Sequence, residues 1–164
     1  MKLKIVFMIA LACYANIATC KEIIGWVENV LLTENNLLVK AKIDSGARHS
    51  SLHCDCTAIV NQKGEKWVHL KIANFEGKIT ELDKKVLRQA KIKRHDGKMQ
   101  IRDVIKLTIT LGSVKKEVEV NLIDRTGLNY QLLIGRSYLK GDFLIDTSKK
   151  FIRTPKYNTK LKRF

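Results

Sequence analysis

Leu37-Leu38-Val39-Lys40-Ala41-Lys42-Ile43 runs directly into Asp44-Ser45-Gly46. The apolar run alternates with basic residues at its end, as a half-buried strand does. Asp-Ser-Gly then closes it, and alone such a triplet is an ordinary turn. A second segment gives it weight. Leu132-Leu133-Ile134 is another short apolar strand, and it ends on Gly135-Arg136.

The same grammar extends outward in both directions. Upstream, Ile23-Ile24-Gly25-Trp26-Val27 opens a β-like stretch that reaches Leu32, and Glu34-Asn35-Asn36 turns it. Downstream, Asn61-Gln62-Lys63-Gly64 separates Ala58-Ile59-Val60 from Trp67 to Ile72, and Asn74-Phe75-Glu76-Gly77 is the next turn. Lys84 to Arg94 reads as one extended run ending at His95-Asp96-Gly97-Lys98. Asp-Gly is a hairpin signal because Gly accepts the positive φ of tight turns. Arg102 to Leu111 alternates, Gly112-Ser113 turns, and Val118 to Leu122 runs back. A single short helix is expected at Gly135 to Leu139, and Phe143-Leu144-Ile145 is the last strand. Many short strands with turns between them predict an all-β closed barrel or sandwich.

The chain has 164 residues, and 31 Lys and Arg against 16 Asp and Glu give a formal net charge of +15. That length suits one domain and excludes an enzyme with a separate cofactor domain. Met1-Lys2-Leu3-Lys4 followed by the uncharged run Ile5 to Ala15 has the order of a secretory signal peptide. The run is too short for a stable membrane span. Residues 1–20 are therefore expected to be a leader, 21–148 the domain and 149–164 a mobile basic tail. The product would be exported, periplasmic or secreted. Ile17-Ala18-Thr19-Cys20 also has the outline of a degenerate lipoprotein signal with Cys20 as anchor, although Thr19 fits that outline poorly. Cys54-Asp55-Cys56 permits a disulfide in an oxidising compartment. A bridge between residues two apart is strained, so free thiols or a labile bond are expected.

His49, His53, Cys54 and Cys56 place four possible metal ligands in eight residues. The general-base Glu of a His-Glu-x-x-His helix is missing, and so is a second distant ligand pair. The expectation is no metal, with His53 a packed residue behind the site. No Gly-rich phosphate loop is present, and no cofactor is expected. The basic segments carry little aromatic interleaving, which argues against a nucleic-acid partner.

Taken together, the two short motifs resemble the retropepsin pattern, in which an Asp-Ser/Thr-Gly loop is followed downstream by an apolar strand and Gly-Arg. The closer resemblance is to a bacterial retropepsin-like aspartic protease family, formerly described as ATP-dependent zinc proteases. Gly25-Trp26-Val27-Glu28, Ala41 to Arg48, Ser50-Ser51-Leu52-His53, Asp124-Arg125 and Leu133-Ile134-Gly135-Arg136 carry it. It spans about residues 23 to 147.

The resemblance implies a water held between two carboxylates that share one proton, because two carboxylates so close cannot both ionise. One Asp-Ser-Gly per chain implies a homodimer with Asp44 from each copy. Ser45 would bond across the two-fold axis, and Gly46 would let the backbones approach. Ala47 would line the cleft, with Arg94, His95, Asp96, Gly97 and Lys98 as the flap over the substrate. Leu133, Ile134, Gly135 and Arg136 would support the Asp loop.

Three departures qualify this resemblance, one being a flap with Arg94-His95-Asp96-Gly97-Lys98 where the retroviral enzymes have a Gly-rich tip. Retroviral enzymes place an acid where this chain has Arg48, so Arg136 lacks its usual partner. Their compact domain is also shorter between Asp44 and Gly135, so the Cys54 to Ala90 region is largely extra. A non-catalytic module on the same fold, binding acidic peptides or polymers, is the alternative to an endopeptidase.

The charge is localised. Lys149 to Phe164 holds seven basic residues and no acid, and Lys84 to Arg102 holds eight against Asp96. That distribution predicts an acidic polypeptide substrate drawn to the cleft.

Overall fold

Strand alternation governs the molecule in a computed structural model, which describes residues 20–60, 63–93, 97–127 and 129–155. In chain order the strands are β1 (Glu22–Leu32), β2 (Leu37–Ile43), β3 (Ser50–His53), β4 (Asp55–Val60), β5 (Lys66–Ala73) and β6 (Ile79–Lys85). They continue as β7 (Arg88–Lys93), β8 (Met99–Leu111), β9 (Val114–Ile123), β10 (Leu132–Ile134) and β11 (Phe143–Lys150). The short helix α1 (Arg136–Leu139) follows β10. The fold is all-β and retropepsin-like, as the sequence predicts.

Eight strands form one mixed sheet in the order β11-β1-β2-β10-β3-β9-β8-β7. Leu31 and Leu32 of β1 also pair with Thr110 and Ile109 of β8, which closes the middle of the sheet into a barrel. Closure explains why β1 is buried along much of both faces and why Ile24, Val30, Leu37, Val39, Leu52, Ile105, Ile109 and Leu132 have no exposed surface. Burying such a side chain is worth roughly 1.5–3 kcal/mol, so these strands are the part of the chain least free to move.

α1 is fixed by Tyr138. Its hydroxyl accepts the Leu111 N–H at 3.1 Å and donates to the Val114 carbonyl at 2.8 Å, gripping the β8–β9 turn. Burial pushes that hydroxyl far above the ordinary tyrosine range, so it remains a neutral donor. Phe143 stacks on the same ring at 5.7 Å.

β4, β5 and β6 make a separate three-stranded sheet. Val68, Leu70 and Ile72 of β5 point into the common core, and the intervening residues are more exposed. Most of the region that the compact retroviral pattern lacks is therefore a hairpin and a third strand laid on the barrel.

Three expectations are changed or decided. Lys84 to Arg94 is not one strand. β6 ends at Lys85, Val86 bonds to Lys66, Leu87 bonds to Val104, and β7 begins in the other sheet. No Gly, Pro, Asn or Asp occurs between Lys84 and Arg94, so no turn residue marks the change of sheet. Secondly, of the two alternatives for Cys54 and Cys56 the bonded one is found, a disulfide with the Cα atoms 5.3 Å apart. Thirdly, the chain beyond 148 is in part structural. Lys149 and Lys150 belong to β11, and the N–H groups of Ile152 and Arg153 bond to the Glu28 carboxylate at 3.2 and 3.0 Å. Glu28 has no exposed surface and also accepts the Gly25 N–H at 2.6 Å. A buried carboxylate is tolerated when backbone donors surround it.

Candidate active site

Asp44 is the first residue after β2. Its N–H donates to the Ile134 carbonyl at 2.9 Å, extending the parallel β2–β10 ladder by one step. Its Oδ1 accepts the N–H groups of Gly46 at 3.1 Å and Ala47 at 3.2 Å. The short loop thus folds around its own carboxylate, whose Oδ2 makes no hydrogen bond among the described residues. Ser45 and Gly46 are exposed, and Asp44 and Ala47 are half-buried.

The Gly135-Arg136 segment clamps this loop from behind. Ile134 pairs with Ile43, and Leu133 pairs with Lys42 on one side and Ser51 on the other. A Cβ on Gly135 would lie 2.6 Å from the carbonyl carbon and oxygen of His49, so only glycine fits beneath the loop. The Gly135 N–H donates to the buried Ser50 Oγ at 3.2 Å. Arg136 Nη1 donates to the carbonyls of Ser45 and Gly46, both at 2.8 Å, and its N–H donates to Ala47 at 3.0 Å. The Ser137 N–H completes the clamp on Arg48 at 2.9 Å. The partner that the sequence left open for Arg136 is therefore the backbone of the Asp loop itself. Carbonyl groups do the holding that a carboxylate would otherwise do.

The family profile of the retropepsin-like aspartic endopeptidase RimB matches residues 23–156. This chain belongs to the RimB-like family. A probable alpha-L-glutamate ligase of Shewanella halifaxensis is 35% identical over 116 residues, covering 69% of this chain and 25% of that protein. Another, of Desulfotalea psychrophila, is 27% identical over 130 residues, covering 77% of this chain and 28% of that protein. The RimB-like chain thus spans about a quarter of the length of these curated relatives. A crystal structure of a Legionella pneumophila protein of unknown function is similar with a TM-score of 0.68 at 29% identity, covering 81% of this chain and 98% of that one.

The other sequence candidates fall in separate places in the RimB-like fold. His53 ends β3, and its Nδ1 accepts the Arg125 N–H at 2.8 Å, which leaves the ring proton on Nε2. Asp124 beside it is held below the ordinary carboxylate range by its bonds from Thr126. His49 is half-buried, and its Nδ1 has no partner among the described residues. His69 lies on β5 against Asp83 at 2.6 Å. Among the described residues, no three His, Cys, Asp or Glu side chains form a group that fits a metal ion. Of the flap residues, Arg94, His95 and Asp96 lie outside the described residues. Gly97 takes φ +80°, the positive φ that its Asp-Gly signal predicts.

Three supporting residues carry no sequence role of their own. Ser50 receives Gly135, and its carbonyl accepts the Asn121 side chain at 2.7 Å. Arg125 is half-buried, and its Nε donates to the Tyr130 carbonyl at 3.1 Å. Burial pushes its guanidinium down, and the Asp44 charge opposes that fall. Ser50 and Arg125 stand inside quoted motifs, whereas Asn121 gives no signal in sequence.

Proposed function

We propose that this chain is an exported aspartic endopeptidase that works as a homodimer. The observation that carries it is the geometry of Asp44. Its carboxylate is oriented by two N–H groups through Oδ1, Oδ2 makes no hydrogen bond among the described residues, and the loop is clamped to Gly135-Arg136. Two such loops facing across a two-fold axis would bring the carboxylates together. One proton would remain between them. The ionised carboxylate would take a proton from a bound water, while the protonated one donates to the peptide carbonyl. Ser45 and Gly46, exposed in the single chain, would be the dyad contact.

Acidic polypeptides are the proposed substrates. Lys91 and Lys93 of β7 and Lys98 lie in the hairpin that would cover the cleft, and a cationic rim raises the local concentration of anionic chains. Replacing all three by Gln should weaken cleavage of acidic peptides at low salt far more than that of neutral ones. Equal loss for both would reject the preference.

Mapping new protein N-termini in cells carrying wild type or Asp44→Asn tests the activity. Termini that require Asp44 are expected. Identical maps, with the variant folded and present, would favour a non-catalytic binding module.

A further inference from the structure

The Cys54–Cys56 disulfide sits at the corner where the chain leaves β3 of the barrel for β4 of the three-stranded sheet. Its two halves differ. Cys54 is 5% exposed and belongs to the hydrophobic core, whereas Cys56 is exposed on β4. Both line a cavity of about 850 Å³. The cavity opens between β5, the base of the β7–β8 hairpin and the end of β9, with His53, Asp103 and Asp124 on its walls. That volume admits a small peptide-sized thiol.

We infer that Cys54–Cys56 is a thiol-exchange site for a small-molecule thiol, entered through this cavity, and that its state sets the β3–β4 corner. A bridge two residues apart closes a very short loop. Constraint of the unfolded chain therefore contributes less than the roughly 3 kcal/mol of a 15-residue loop, and the bond is correspondingly easy to open. Burial of Cys54 directs the attack. A thiolate adds to Cys56 Sγ, the S–S bond breaks, and its electron pair leaves on Cys54 Sγ, which takes up a proton. A second thiolate attacks the external sulfur of the mixed disulfide and frees Cys56 as a thiolate. Two thiols are oxidised to one disulfide while the protein disulfide is reduced to two thiols.

The corner matters because His53 immediately precedes it. With the bridge in place, His53 leaves β3 at a fixed angle and its Nδ1 holds the Arg125 N–H at 2.8 Å. Opening the bridge frees that angle, so the Asp124–Thr126 wall of the cavity loosens with it. None of this depends on Asp44 being catalytic.

The test uses the full chain with Cys13→Ser and Cys20→Ser, so that Cys54 and Cys56 alone report. Reduced glutathione is the probe, followed by alkylation and intact-mass measurement under native conditions. Two alkyl groups per folded chain are expected, with faster amide exchange at Arg125 after reduction. In single-cysteine variants, oxidised glutathione should cap Cys56 at least about tenfold faster than Cys54, following exposure. A bond that opens only on denaturation, equal capping rates, or unchanged Arg125 exchange would each overturn the inference. The native-chain measurement stands even where a single-cysteine variant fails to fold.

Discussion

Arg136 Nη1 lies 2.8 Å from the carbonyl oxygen of Ser45, the residue beside the candidate catalytic carboxylate. The same nitrogen bonds to Gly46, so one guanidinium holds two consecutive peptide groups of the Asp loop. Charge-assisted bonds to carbonyls are directional as well as attractive, and here they set the loop's path.

Arg136→Lys keeps the charge and loses the planar fork. Stability should fall by only about 1 kcal/mol, because the side chain is exposed. Peptide cleavage should fall by up to about a hundredfold, because a small displacement of the reacting group is costly. Denaturant unfolding and kcat/KM on one peptide measure the two effects. Matching losses would mean that Arg136 supports the fold alone.

Gly135 and Gly46 should separate packing from assembly. Gly135→Ala would drive a Cβ to 2.6 Å from backbone and should cost about 3 kcal/mol of folding stability. Among the described residues Gly46→Ala meets only Asp44 Oδ1 at 3.3 Å, so its fold should survive. If the loops face each other in a dimer, Gly46→Ala should weaken association, read by sedimentation. An unaltered dimer would move the interface elsewhere.

Glu28 ties the C-terminal segment to β1. Truncation after Pro155 keeps the Ile152 and Arg153 donors and should leave the melting temperature nearly unchanged. Truncation after Lys150 removes them and leaves the buried carboxylate with the Gly25 N–H but without two of its backbone donors, which should cost about 2 kcal/mol. Equal melting of the two truncations would contradict the latch.

Arg88 holds Glu119 below its ordinary value near 4.5, chiefly by the side-chain hydrogen bond, and so links β7 to β9. A lowered carboxylate contributes stability above its unfolded value and loses it as pH falls through the folded value. Wild type should therefore lose stability relative to Glu119→Gln as pH drops below about 4.5, with a small amplitude because the pair is exposed. Parallel acid melting curves for the two proteins would refute the link.

The sequence made the barrel legible because most strands carry alternation bounded by Gly, Asn or Asp turns, and closure leaves such runs half-buried. The β6–β7 crossover was hidden because no Gly, Pro, Asn or Asp marks it, while the hydrogen-bond partner changes sheet between Val86 and Leu87. At the site, Asp44 and Gly135 were readable as coupled motifs. The Arg136 contacts were not, since backbone carbonyls leave no residue-type signature. The tail misled for a similar reason. Its basic composition suggests a free arm, yet its backbone donors bind a glutamate more than a hundred residues away.

Mixing wild type with Asp44→Asn under exchange conditions tests whether two chains build one site. Peptide cleavage is followed as the wild-type fraction falls at constant total protein. A shared pair of carboxylates predicts that activity follows the square of that fraction. A linear fall would contradict the account, because each chain would then carry a complete site.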